Sequence, residues 1–218
     1  AFEIGMPFSD PLADGVTNQR AYQQSLENGF SVADLFSAVR ELRRRDVRVP
    51  LLVMGYFNPL LAYGLGKFVQ DAVSAGVDGL IPVDLPPEEA VELEPAARAA
   101  GLHVMYLLAP TSTDERIGVV AEHGSGFIYC VSVAGVTGAR AAVSDQLPAF
   151  LQRVRAQTEL PLAVGFGISA REHVEEVGRH ADAAVIGGAF VETIANASRE
   201  QRPGAVRAFV EEMSGRGT

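Results

Sequence analysis

Short, continuously apolar runs alternate with helical patterns along almost the whole chain, and this alternation leaves few folds open. Runs such as Leu51-Leu52-Val53-Met54 and Ala183-Ala184-Val185-Ile186 carry no polar–apolar alternation. A strand covered on both faces by helices reads this way, and parallel sheets are built from such strands. Phe2 and Ile4, alternating with Glu3 and Gly5, predict a short opening strand. Further strands are predicted to begin near Leu51, Gly79, Leu102, Phe127, Pro161 and Asp182. Helices follow at approximately 64–75, 88–100, 113–123, 145–157, 170–179 and 189–197, with a last one at 204–214.

Local signals support these boundaries. A helix from Asn18 to Asn28 ends at Gly29; Ser31 with Asp34 forms a capping box for the next, whose Leu35, Phe36, Val39 and Leu42 share one face. Arg43-Arg44-Arg45 reads as a solvated helix end, where cations suit the dipole. Gly76, Gly101 and Gly124 occupy C′ positions, Ser169 with Glu172 predicts a second capping box, and Pro203 opens the last helix. With no linker or break in composition, residues 1–218 read as a single α/β domain. Two architectures fit seven strand–helix units: an open doubly wound sheet, or a TIM (β/α)₈ barrel lacking one unit. Such barrels take about 250 residues. The favoured reading is a barrel whose first strand and helix are absent from this 218-residue sequence.

A net charge of −9 argues against nucleic acid or an anionic membrane as partner. No 18-residue apolar run predicts a membrane span. The single cysteine, Cys130, forms no intrachain disulfide and fits a reducing, cytoplasmic setting. No signal peptide is visible, although a chain opening at Ala1 directly in a strand leaves a preceding targeting segment open.

Two carboxylates in the first fifteen residues draw the chemistry. Glu3 falls in a strand expected to be mostly buried, and Asp14 on the loop that leaves its C-terminal end, after the turn residues Pro7, Ser9, Asp10 and Pro11. Burial raises a carboxyl pKa and suits it to proton transfer near neutrality; a salt-bridged Glu3 and an ordinary turn aspartate are the alternative. Late in the chain, Gly165-Phe166-Gly167-Ile168 and Gly187-Gly188-Ala189 each join a strand to a helix. Such loops let backbone N–H groups approach an anion. If the opening strand is the second of eight, they follow strands 7 and 8, where barrels of this class hold phosphate. Plain tight turns are the alternative. Residues 131–143, long and rich in small side chains, read as a lid or as a surface connection.

Taken together, Phe-Glu-Ile-Gly-Met-Pro-Phe-Ser-Asp-Pro-Leu-Ala-Asp-Gly, Met54-Gly55-Tyr56-Phe57-Asn58-Pro59, Asp84-Leu85-Pro86, Gly135-Val136-Thr137-Gly138 and Gly165-Phe166-Gly167-Ile168 resemble the tryptophan synthase α subunit, in order across nearly the whole chain. The resemblance implies a TIM barrel that cleaves indole-3-glycerol phosphate to indole and glyceraldehyde 3-phosphate and passes indole to a β subunit. It implies an α-β-β-α tetramer, no cofactor in this chain and pyridoxal phosphate in the β subunit. Glu3 and Asp14 match the two catalytic carboxylates: Glu3 the proton shuttle between indole C3 and the glycerol hydroxyl, Asp14 the acceptor for the indole N–H. Tyr129 and Thr137 match residues beside the site; Gly138, Phe166, Gly167, Gly187 and Gly188 match the phosphate positions. Met54, Tyr56 and Ile81 fall where the indole ring would be lined, with core packing as the alternative for Met54 and Ile81. Pro7, Asp10, Asn58 and Pro59 lie on loops able to meet the β subunit.

The sequence departs from the family's pattern in three places. The first strand and its preceding helix are missing, which would leave strand edges unpaired. Gly188 stands where serine is common, and Val133-Ala134 replaces a more polar pair. Two rival functions follow: a non-catalytic activating subunit or inactive fragment, and another phosphate-binding barrel such as indole-glycerol-phosphate synthase. The synthase reading lacks a lysine at a strand end.

Overall fold

The computed structural model describes residues 1–132, 146–165 and 167–216. Two compact units divide the chain: Ala1–Ala13, Ala21–Leu107 and Val119–Ile128 form the first, and Asp14–Arg20, Leu108–Gly118 and Tyr129–Thr218 the second.

The first unit is built on β1 (Phe2–Gly5), α1 (Val16–Glu27, whose first residues belong to the second unit), α2 (Val32–Arg44), β2 (Leu51–Gly55), α3 (Phe57–Tyr63), α4 (Leu65–Ala75), β3 (Gly79–Pro82), α5 (Leu93–Ala99) and β4 (His103–Val104). Its sheet runs β1-β2-β3-β4, all parallel, with Glu3 opposite Leu52 and Met54 opposite Ile81. Leu51, Leu52 and Val53 of β2 and all of β3 are buried, as their unbroken apolar runs require. β1 differs. As an outer strand of this sheet it is only partly covered; Phe2 remains 51% exposed and Glu3 half-buried, short of the burial expected from sequence. Outside the sheet, Phe36 of α2 meets Phe68 of α4 with ring centroids 5.2 Å apart.

The second unit continues through β5 (Leu107–Leu108), α6 (Asp114–His123), β6 (Ile128–Val131), α7 (Leu147–Arg155), β7 (Leu162–Gly165), α8 (Arg171–Val177), β8 (Ala183–Ala184), α9 (Gly188–Asn196) and α10 (Arg202–Ser214); β5, α6 and β6 begin or end across the division. Its sheet order is β5-β6-β7-β8, and β7 pairs parallel with β8. The strand predicted from Leu102 is therefore two strands, β4 and β5, one in each sheet. Met105 and Tyr106 between them are each 1% exposed. The apolar run never breaks, so hydropathy carries no sign of the division.

One device anchors strand beginnings in both units. Asp78, just before β3, accepts from the Leu51 N–H at 2.7 Å and from Arg43 at the end of α2. Asp182, just before β8, accepts from the Leu162 N–H at 2.7 Å and from Arg155 at the end of α7. Arg43 also donates to the carbonyls of Gly76, Val47 and Val49. It is a clamp, not part of a solvated helix end; Arg44 and Arg45 do face solvent, each paired to Glu41.

Other local expectations divide. Asp34 accepts from both the Ser31 N–H and hydroxyl, as the capping box predicts. Gly29, Gly76 and Gly101 take the left-handed conformation, whereas after α6 that role falls to Gly126 instead of Gly124. The Ser169–Glu172 box does not form: α8 starts only at Arg171, capped by extended Ala170, so Glu172 is out of register. Asn58 and Pro59 belong to α3 and not to a loop. Pro59 sits in the first turn, where a missing N–H costs nothing.

Candidate active site

In the first unit the site elements gather at the C-terminal ends of β1, β2 and β3. Burial raises the Glu3 carboxyl to about 7, against a smaller opposing pull from the N-terminal ammonium. At that value a side chain exchanges its proton freely near neutral pH. Beyond β1 the chain extends its ladder by one bond, from the Met6 N–H to the Met54 carbonyl at 2.8 Å. Fully buried Met6 then lies so close to Gly55 that a Cβ there would come within 2.9 Å of its Cε. Only glycine lets this loop cross the end of β2.

Tyr56 holds the loop's far end. Its hydroxyl accepts the Ala13 N–H at 2.9 Å, its ring lies 5.3 Å from that of Phe8, and it is 3% exposed. Met54 is half-buried, while Ile81 is wholly buried. Asp84 caps α3 by accepting the Phe57 N–H at 2.7 Å, which gives the Asp84-Leu85-Pro86 motif a structural task. Asp10 and Asn58 are exposed, Pro7 and Pro59 half-buried.

In the second unit Asp14 is 7% exposed and sits just ahead of α1. Asn18 Nδ2 donates to its Oδ1 at 3.0 Å, and Gln19 Nε2 to its main-chain oxygen at 2.8 Å. Sequence reasoning passed over both amides. The i, i+4 spacing of Asp14 and Asn18 at a helix start is the signal that marks them. Tyr129, on β6, is 3% exposed and packs against Gly165 at the end of β7, where a Cβ would fall 2.3 Å from its hydroxyl oxygen. The Ser132 N–H donates to the Gly165 carbonyl at 2.9 Å.

Gly167 has φ +79°, which excludes other residues without strain. Gly187 caps α9 and Gly188 is its first residue. A Cβ at any of these three positions would meet nothing within 4 Å, so the space beside them is open. The first turn of a nine-residue helix offers N–H groups with no partner inside that helix. That arrangement suits an anion. Thr137, Gly138, Phe166 and most of the 131–143 segment, including Val133-Ala134, lie outside the described residues. No group of acidic, histidine or cysteine side chains suited to a metal occurs among the described residues.

A sequence model for the tryptophan synthase alpha chain matches residues 1–215. The chain belongs to the tryptophan synthase alpha chain family. It is 53% identical over 193 residues to the alpha chain of Roseiflexus castenholzii, covering 88% of this chain and 74% of that one. With the alpha chain of Roseiflexus sp. it shares 50% over 214 residues, 98% and 82% of the two chains. Among solved structures, a chain of the tryptophan synthase α2β2 complex from Pyrococcus furiosus superposes with TM-score 0.90 at 39% identity, covering 98% of this chain and 86% of that one. The alpha subunit from Legionella pneumophila gives 0.89 at 37%, with 99% and 80% covered. The tryptophan synthase alpha fold is an α/β barrel of the TIM class, and it is this chain's fold.

Proposed function

We propose that Glu3 and Asp14 divide the acid–base work of this family's reaction between them. That reaction is the retro-aldol cleavage of indole-3-glycerol phosphate to indole and glyceraldehyde 3-phosphate, a carbon–carbon lyase step of tryptophan biosynthesis. The observation that carries the division is the Glu3 carboxyl, raised to about 7 within β1. Protonated Glu3 gives its proton to indole C3, which leaves positive charge on the ring nitrogen. Asp14 accepts the ring N–H and stabilises that charge as it develops. The Glu3 carboxylate then takes the proton of the hydroxyl on the carbon attached to the ring. The carbonyl forms, the carbon–carbon pair returns to the ring, and indole leaves. The net change is one proton moved from hydroxyl to C3, so Glu3 ends as it began.

Gly167, Gly187 and Gly188 hold the phosphate through the backbone and the start of α9, together with Gly138 and Phe166. Met54, Tyr56, Ile81, Tyr129 and Thr137 surround the organic part of the substrate. Glu3 supplies the proton transfers that cleavage needs and Asp14 the charge stabilisation; pyridoxal phosphate belongs to the partner β subunit. That subunit, which receives the indole, meets the face carrying Pro7, Asp10, Asn58 and Pro59. Residues 1–218 work as one catalytic domain in the cytoplasm, a location the lone buried Cys130 fits.

Indole release from indole-3-glycerol phosphate, measured with and without β subunit, tests the reading. Glu3→Gln is expected to lower kcat at least a hundredfold. Normal turnover in that variant would remove Glu3 from the mechanism.

A further inference from the structure

Asn18 carries an oddity that none of the roles above absorbs. Its amide nitrogen donates to Asp14 Oδ1 at 3.0 Å, yet its own carbonyl oxygen is buried and, among the described residues, accepts no hydrogen bond. A buried acceptor left unpaired costs free energy, and native structures avoid it. An amide has a second orientation, rotated by half a turn, that exchanges oxygen and nitrogen. In Asn18 that rotation would set the carbonyl against the Asp14 carboxylate, acceptor against acceptor. The orientation present is therefore the one that donates to Asp14, at the expense of the asparagine's own carbonyl. Gln19 adds a second tie, donating from Nε2 to the Asp14 main-chain oxygen and from its own N–H to the Gly15 carbonyl at 3.0 Å. The backbone of Asp14 is fixed by one amide and its carboxylate by the other.

We propose that Asn18 is a positioning residue for Asp14, turning its carboxylate into the plane that meets the substrate's ring N–H. The inference rests on the reading of Asp14 as acceptor for that N–H. A carboxylate turns freely about its last bond unless a donor fixes it, and Asn18 is a donor anchored in the first turn of α1. Since the charge on the ring nitrogen appears only as C3 is protonated, the alignment acts on the transition state more than on the bound substrate. Its loss falls on kcat and leaves KM nearly unchanged.

An isosteric series at position 18 tests this, with indole release measured on the full chain and rates referred to the folded fraction from thermal melting. Asn18→Leu keeps the shape and removes the donor; kcat is expected to fall about tenfold with KM within about twofold. Asn18→Asp keeps the shape and sets a like charge beside Asp14, and is expected to lower kcat about a hundredfold. Asn18→Gln, which keeps the donor on a longer arm, recovers part of the loss. The proposal is overturned if Asn18→Leu keeps kcat within about twofold, if Asp is no worse than Leu, or if the variants raise KM and spare kcat. Asp14→Asn is measured beside them. Should it retain near-normal kcat, the role given to Asp14 itself fails; should it be inactive while the position-18 series is flat, only the role of Asn18 fails.

Discussion

Glu3 binds its proton more tightly in the folded chain than in the unfolded one, with a carboxyl at about 7 against an ordinary 4.5. The active form in the proposed cycle is the protonated acid, so kcat/KM of the free enzyme is expected to fall as pH rises through about 7, approaching tenfold per unit. A flat profile between pH 6 and 9 contradicts this. The same shift has a stability consequence. A raised carboxyl favours the fold below its unfolded value, and this advantage is lost as pH rises through the folded value. Glu3→Gln, which never ionises, is expected to gain melting temperature over the parent at pH 8 but not at pH 4. At the phosphate end, Gly188 offers a simpler experiment. Nothing lies within 4 Å of a Cβ there, and its φ lies outside the left-handed range. Gly188→Ser is therefore accommodated and adds a hydroxyl donor at the start of α9. KM for indole-3-glycerol phosphate is expected to fall about threefold to tenfold, with kcat little changed.

Elements were legible in the sequence where burial on both faces or a sharp cap wrote them there. β2, β3 and β7 follow from their apolar runs, and α2 from Ser31, Asp34 and its apolar face. What the sequence concealed depends on partners distant along the chain. α3 is seven residues long, and its N-terminal cap is Asp84, 27 positions away. No local pattern announces such a cap. Arg43 looked like part of a basic run because the groups it clamps, Asp78 and Gly76, come more than thirty residues later. The proposed catalytic pair, Glu3 and Asp14, follows from family motifs, whereas what the Asn18 amide touches shows only in the fold. The close fit of β7 against Tyr129 is another tertiary fact, and it predicts a strong response. Gly165→Ala would put its Cβ 2.3 Å from the Tyr129 hydroxyl oxygen and 2.7 Å from the ring carbon that bears it. Tyr129 is 3% exposed, so its ring has little room to yield. Overpacking of this kind costs about 1–3 kcal/mol. A lower melting temperature is expected, with KM raised as the proposed phosphate loop shifts; an unchanged variant would mean the ring moves freely.

Over the whole molecule, the Arg155–Asp182 anchor makes stability depend on pH in the direction opposite to Glu3. The Leu162 N–H and Arg155 hold the Asp182 carboxyl below its usual range. A depressed carboxyl supports the fold above its unfolded value, and that support is lost as pH falls through the folded one. Asp182→Asn is expected to cost no more than about 1 kcal/mol at pH 7, since solvent screens the half-exposed pair, and less at pH 2, read from denaturant unfolding at the two pH values. The Glu3 and Asp182 contributions thus oppose each other as pH changes.

Partner docking belongs to the same scale, because the proposed roles give the opening loop both chemistry and assembly. Leu12 is 86% exposed, between the exposed Asp10 and the buried Asp14. An isolated exposed leucine is ordinary on a protein surface. This one belongs to a loop pinned one residue before Asp14, through Ala13 and the Tyr56 hydroxyl. A β subunit that covers Leu12 would therefore press on the segment that aims Asp14, which gives docking a direct route to turnover. Leu12→Asp is expected to weaken β-subunit binding about tenfold or more, since a charge must then be desolvated at the interface. The side chain makes little contact within its own unit, so turnover without β subunit should stay within about twofold. Titrating β subunit against indole release separates the two quantities. An unchanged binding midpoint would take Leu12 out of the interface, and a fall in basal turnover would show that it supports the loop itself.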